Sequence, residues 1–244
     1  MRVHVVNSGN RRQYLDLIEE MHRQRHRIFV DLMGWKALES PDKLDIDEFD
    51  TPAATYLIAI EDGQVRGSLR LVPTWRPNML KNLFPEYVEG AVPEGPGVWE
   101  WTRHIPGDPR WSKETNNQVR FLLHIAVLEF AASRDIQTVT GIVDTRIVAR
   151  MEDLGWDVTP LGLPVQYGEG CAFAFKAPVN LANIEDLRQR IGRDDSILLE
   201  MPRGVNVQSE VLTRHAVEMV MSVPASSLPK ATAALQGLVG ACEQ

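Results

Sequence analysis

At 244 residues, 44% of them hydrophobic, the chain is long enough to bury one substantial core and reads as one domain, or one domain with an appendage. It has no run of about 18 apolar residues, which rules out a membrane-crossing helix. Its formal net charge of −7 argues against general nucleic-acid binding, which wants a basic footprint.

The opening MRVHVVNSGN lacks the apolar centre of a signal peptide. Cys171 and Cys242 fit neither a metal spacing nor a redox pair. Both features lead us to expect a cytoplasmic protein. Val3 to Val6 reads as a short edge strand. Ser8 or Asn10 can cap a helix reaching about Met33, with an apolar stripe of Tyr14, Ile18, Met21, Ile28 or Phe29, and Leu32. Arg25 falls on that stripe where an apolar residue is due, while Arg23 and Arg27 lie off it and are expected in solvent. A core-facing arginine must find carboxylates, unless it snorkels to the surface. The nearest carboxylates stand in Glu39 to Asp50, ESPDKLDIDEFD, which carries six acids and three apolar anchors. Such a stretch suits a cationic small molecule. A solvated loop would have the same composition.

Ala54 to Ile60 and Gln64 to Val72 form a hairpin across Glu61-Asp62-Gly63. In its second strand Val65, Gly67, Leu69 and Leu71 share one face, and Arg66, Ser68, Arg70 and Val72 the other. Pro73 to Val98 holds five prolines and reads as a long excursion with a helical turn at Asn78 to Phe84. Val98 to Ile105, VWEWTRHI, is a strand. For Glu100 and Arg103 to serve one site this strand needs a bulge. Ser112 caps a helix to about Ser133, with Val119, Leu122, Leu123, Ala126, Val127 and Phe130 as its core face. Ile136 to Val143 is a strand, Thr145 to Leu154 a helix stopped at Gly155, and Trp156 to Leu161 and Cys171 to Ala177 are further strands. Asn183 to Ile191 is a helix and Ser196 to Met201 a strand. Glu210 to Val223 and Leu228 to Val239 are helices of a C-terminal extension. The alternation implies an α/β sandwich with a partly parallel sheet. We expect a domain over 1–202 and an extension over 203–244.

No Walker A sequence, G-x-G-x-x-G fingerprint, H-E-x-x-H pair or G-x-S-x-G elbow is present, and the six histidines form no metal-ligand spacing. What remains is a set of charged residues: Arg25, Asp47, Asp50, Arg70, Glu100 and Arg103.

These residues carry a resemblance to the acyl-homoserine lactone synthases, the bacterial autoinducer synthases. Arg25, Phe29 and Trp35 stand at the spacings of that family's N-terminal signature. The acidic D-x-F-D element reads Asp47-Glu48-Phe49-Asp50. The G-x-x-R-L element reads Gly67-Ser68-Leu69-Arg70-Leu71, and E-x-[ST]-R reads Glu100-Trp101-Thr102-Arg103. The resemblance covers about residues 1–178. His104 departs from it, because the family usually has an aromatic ring there, and the C-terminal extension is longer than usual.

The resemblance implies an acetyltransferase-like three-layer sandwich with a mixed central sheet and a V-shaped cleft. It implies two substrates, S-adenosylmethionine and an acyl thioester on coenzyme A or acyl carrier protein, with no cofactor or metal. Glu100 would take the proton from the attacking amine. Asp47 and Asp50 would attract the sulfonium, and Arg25, Arg70 and Arg103 would pair with these carboxylates or with that of the substrate. Phe29, Trp35, Trp101 and Thr102 complete the S-adenosylmethionine side. Leu122, Ala126, Gly141, Ile142, Val143, Val148 and Phe173 are candidates for the acyl pocket, or plain core. Gly141, where members accepting 3-oxo chains tend to have threonine, leans towards an acyl group unsubstituted at that carbon. Arg120, Arg146 and Arg150 either meet the phosphopantetheine arm or the acidic carrier, or are solvated. Two rivals remain: an ordinary N-acetyltransferase, whose pyrophosphate loop Arg103 to Pro109 does not match, and a non-catalytic sensor on the same scaffold.

Overall fold

The computed structural model describes residues 1–168 and 170–200. Nine strands form a single mixed sheet in the order β6-β8-β5-β4-β3-β2-β1-β9, with β7 also paired to β8. They are β1 (Arg2–Val6), β2 (Thr55–Glu61), β3 (Gln64–Pro73), β4 (Val98–Ile105), β5 (Thr138–Asp144), β6 (Thr159–Pro160), β7 (Val165–Tyr167), β8 (Gly170–Pro178) and β9 (Leu198–Leu199). One face is covered by α3 (Lys113–Ser133), α4 (Thr145–Asp153) and α5 (Asn183–Arg190). The other is covered by α1 (Leu15–His26) and by the excursion that contains α2 (Met79–Asn82).

The hairpin turns at Asp62 and Gly63, both with positive φ, the pairing that matches the strand twist. Ser112 caps α3 by accepting from the Thr115 amide, and Asp144 caps α4 by accepting from Arg146. Eleven of the 21 residues of α3 are buried, enough to make it the anchor of its layer at roughly 1.5–3 kcal/mol per large apolar side chain.

Several elements differ from the sequence expectation. The N-terminal helix begins at Leu15, because Asn10 spends its side chain on the Asn7 amide and the Val5 carbonyl. Its last turn widens into a π-helix, Arg27–Leu32. The wider turn shifts the phase, which leaves Leu32 55% exposed while Phe29 stays buried. β1 is not an edge, since β9 pairs with it in parallel. Trp156 lies before β6 and is a core residue rather than a strand residue. β7 was not foreseen. Val65 changes face at the register shift between Ala59 and Ile60 and packs with the α1 layer. The two C-terminal helices expected from the sequence lie outside the described residues.

The centre of the sheet positions the site. β4 and β5 run parallel and pair only from Val98–Thr138 to Glu100–Thr140. Beyond that point β4 pairs with β3 alone and β5 with β8 alone, so the two strands part in a V. Gly141 stands at the apex. A Cβ there would meet the Trp101 carbonyl oxygen at 2.6 Å.

Candidate active site

The β3–β4 ladder pairs Arg70 with Thr102 and then Ser68 with Ile105, so Arg103 and His104 together oppose Leu69 alone. This is the bulge required by the sequence argument. Arg103 takes a φ of +51°, uncommon for a residue with a side chain. The extra residue turns Arg103 onto the face that already carries Glu100 and Thr102.

On that face three arginines meet three aspartates. Arg25 donates through Nε to Asp45 at 2.8 Å and through both terminal nitrogens to Asp50 at 2.9 and 3.1 Å. Arg70 forks onto Asp47, reaches Asp50 Oδ1 at 2.9 Å and donates through Nε to Thr102 at 3.0 Å. Arg103 donates to Asp45 at 2.9 Å and lies 3.0 Å from Asp47. The Tyr56 hydroxyl donates to Asp50 at 2.9 Å. The Arg25 and Arg70 side chains are 1% and 0% exposed, a burial tolerable only with such pairing. Arg25 therefore finds its carboxylates in the acidic loop.

Burial alone would raise the Asp45 carboxyl, but the charges of Arg103 and then Arg25 outweigh it and bring it to about 2. Burial likewise opposes ionisation of Asp50, and Arg25 and Arg70 reverse this, holding it well below the usual carboxylate range. Glu100 behaves differently. It is 1% exposed, and burial raises its pKa despite hydrogen bonds from the Leu80 amide at 2.6 Å and the Met79 amide at 2.9 Å. Those amides open α2, so the excursion docks on Glu100. Met79 lays its sulfur 3.5 Å from Arg70 and 4.0 Å from Arg103.

Two of the expected aromatic residues also come together beside the cage. Phe29 and Trp35 stack at 5.2 Å with an interplanar angle of 10°, and the Arg103 guanidinium lies 5.5 Å from the Phe29 ring. The π-helix carries Phe29 and is tied down by Arg27, which pairs with the buried Asp108 and so is not simply solvated.

Trp101 is not brought to this cluster. It lies on the opposite face with Leu122, Ala126, Val143 and Phe173, and Val148 packs at their edge. Ile142 points the other way, towards Leu80 and Phe84 of the excursion. Gly141 lies between the two faces. Arg120 bonds Asn117, Arg146 is held by Asp144, and Arg150 is exposed. Sequence reasoning gave no role to Asp45, His22, Tyr56 or Met79. Asp45 lay in the acidic stretch, but the D-x-F-D spacing drew attention to its neighbours. The ring of His22 meets the Asp45 carbonyl at 2.7 Å.

A bulged strand beside a V-shaped opening, with a buried carboxylate and a charged cage next to it, defines an acyltransferase on an acetyltransferase-like fold. The model of the autoinducer synthase family matches residues 9–187. The isovaleryl-homoserine lactone synthase of Bradyrhizobium diazoefficiens is 34% identical over 203 residues, covering 82% of this chain and 90% of that protein. An acyl-homoserine-lactone synthase of Pseudomonas aeruginosa is 30% identical over 186 residues, covering 72% and 90%. Among solved structures, BjaI, a CoA-dependent acyl-homoserine lactone synthase determined with MTA, matches with a TM-score of 0.76 at 30% identity over 88% of this chain and 99% of that one. The chain belongs to the autoinducer synthase family, the acyl-homoserine lactone synthases, and is an acyltransferase.

Proposed function

We propose that this chain joins an acyl group from coenzyme A to the amine of S-adenosylmethionine and closes the product to an acyl-homoserine lactone. The observation that carries the reading is the cage of Arg25, Arg70, Arg103, Asp45, Asp47 and Asp50 beside Glu100, where β4 leaves β5. With Glu100 ionised the cage holds one net negative charge, which suits a cationic sulfonium. The Phe29–Trp35 stack covers the adenosyl group. Trp101, with Leu122, Ala126, Val143, Val148 and Phe173, lines the acyl side.

Glu100, whose pKa burial raises, is a stronger base than an ordinary carboxylate and removes a proton from the substrate ammonium. The amine lone pair then attacks the thioester carbonyl. The bulge at Arg103 and His104, left without ladder partners, supplies backbone groups for the developing oxyanion. The tetrahedral intermediate expels the thiol, which leaves as coenzyme A. In the second step the substrate carboxylate attacks the carbon next to the sulfonium, forming the ring C–O bond, breaking the C–S bond and releasing methylthioadenosine. Both reactants are substrates, and no step uses a resident cofactor. The choice of coenzyme A over a carrier protein follows the relatives, BjaI and MesI, named as CoA-dependent. The use of free S-adenosylmethionine and acyl-CoA supports a cytoplasmic reaction.

The test is a release assay. Purified protein is given S-adenosylmethionine with a panel of acyl-CoAs and acyl carrier proteins, and methylthioadenosine and lactone are quantified by mass spectrometry. Equal release of both from an acyl-CoA supports the reading. Release from carrier protein alone overturns the donor, and binding of S-adenosylmethionine with no release from any donor overturns the synthase reading.

A further inference from the structure

The side of β4 facing away from the charged cage holds a polar group that the reaction does not use. Trp101 and His104 have ring centroids 5.1 Å apart, and His104 and His124 5.3 Å apart. Trp156 Nε1 donates to His124 Nδ1 at 2.8 Å, which satisfies that pair. Two further nitrogens of the group are not satisfied. Trp101 Nε1 and His104 Nε2 are both shut off from solvent and meet no hydrogen-bond partner among the described residues. Trp101 is only 6% exposed. His104 as a residue is half-buried, but its Nε2 is covered.

Their place gives these orphans a meaning. Trp101 and Trp156 belong to the same apolar cluster as Leu122, Ala126, Val143 and Phe173, the wall assigned above to the acyl chain. Trp101 is also the first residue of β4 past its last pairing with β5, so its backbone stands at the opening of the V. In an apolar wall, an unpaired N–H is retained against its desolvation cost only if something completes it. A plain hydrocarbon chain supplies no such partner.

We infer that the acyl group this enzyme selects carries a hydroxyl, which bonds to Trp101 Nε1 and His104 Nε2. A hydroxyl oxygen accepts from Trp101 Nε1, which can only donate. Its own proton goes to His104 Nε2, or its second lone pair accepts from it, so either tautomer of the neutral ring is served. Burial, reinforced by the charge of Arg120, lowers the His104 pKa to about 3 and keeps the ring neutral. A phenylalanine at 104 would fill similar space and offer nothing to a hydroxyl. The inference rests on the synthase reading and adds the substrate class to it.

The hydroxyl can belong to an aliphatic or an aromatic acyl chain, and two matched donor pairs separate these sources. They are β-hydroxyoctanoyl- with octanoyl-CoA, and para-hydroxyphenylpropionyl- with phenylpropionyl-CoA. Within each pair, kcat/KM for methylthioadenosine release and Kd for the donor by calorimetry are compared. In the wild type the hydroxylated member of one pair should win by about tenfold or more. In H104F and in W101F that ratio should fall towards one. Equal or better use of the unsubstituted member in both pairs overturns the inference while leaving the synthase reading intact. An unchanged ratio in folded H104F also overturns it. Failure of release with every donor removes the synthase reading and this inference together, and the wild-type ratios alone decide the matter if a variant does not fold.

Discussion

Replacing Asp45 with asparagine tests the charged cage most directly. The side chain keeps its shape and loses its charge, while Arg25 and Arg103 keep their places on either side of it. Asp45 titrates near 2 against an ordinary value of 3.8, and each unit corresponds to about 1.4 kcal/mol, so its ionised form contributes about 2 kcal/mol to folding. Breaking a buried ion pair from one side costs about 3–5 kcal/mol where no other partner exists. Here Arg25 retains Asp50 and Arg103 retains Asp47, so the loss should fall towards the lower figure. We expect D45N to lose about 2–3 kcal/mol at pH 7, a large share of the 5–15 kcal/mol typical of a domain. The assay is urea unfolding of both proteins across pH. Because the folded pKa is depressed, the contribution is complete above about pH 4 and fades as the pH falls towards 2. The gap between wild type and D45N should close over that window. A loss below about 0.5 kcal/mol at pH 7, or a gap that stays constant down to pH 2, would refute the reasoning.

Glu100→Gln should preserve the fold, since the amide oxygen can still accept from one of the two α2 amides, and should lower kcat by about 10²–10⁴-fold. In the wild type the acid limb of kcat/KM should lie above the ordinary carboxylate range, because burial raises the Glu100 pKa and protonation removes the base. E100Q should lose that limb in any residual activity. Trp35→Ala removes the stacking partner of Phe29 and should raise KM for S-adenosylmethionine more than it lowers kcat, as read from steady-state kinetics. Gly141→Ala places a methyl 2.6 Å from the Trp101 carbonyl oxygen and should destabilise by about 1–3 kcal/mol, seen as a lowered Tm.

The parts of this molecule that were legible in the sequence are those set by local chemistry. Asp62-Gly63, Ser112 and Gly155 punctuate the chain as their residue types require, and each marks its element's end within a few residues. Arg25 announced a buried ion pair because it interrupts an apolar stripe. The choice among carboxylates was not legible. Asp45 and Asp47 are alternate residues of an irregular loop, and only the tertiary path brings both to Arg103. The tie between Glu100 and α2 was equally hidden, because two amides 20 and 21 residues away leave no mark in side-chain pattern. Trp101 stands apart from the charged cluster for an instructive reason. As part of the E-x-[ST]-R element it was assigned to the same site as Glu100 and Arg103, although strict alternation sets it on the far face from Glu100. The bulge follows Trp101 and leaves it there, and it returns Arg103 to the near face while sending His104 to the far one. One inserted residue thus divides β4 between two tasks. It gathers the charges on one side, where the proposed reading puts the sulfonium substrate, and leaves an aromatic and imidazole wall on the other, where that reading puts the acyl chain. On that reading the two substrates meet where the pairing of β4 with β5 ends, at Glu100 and Thr140.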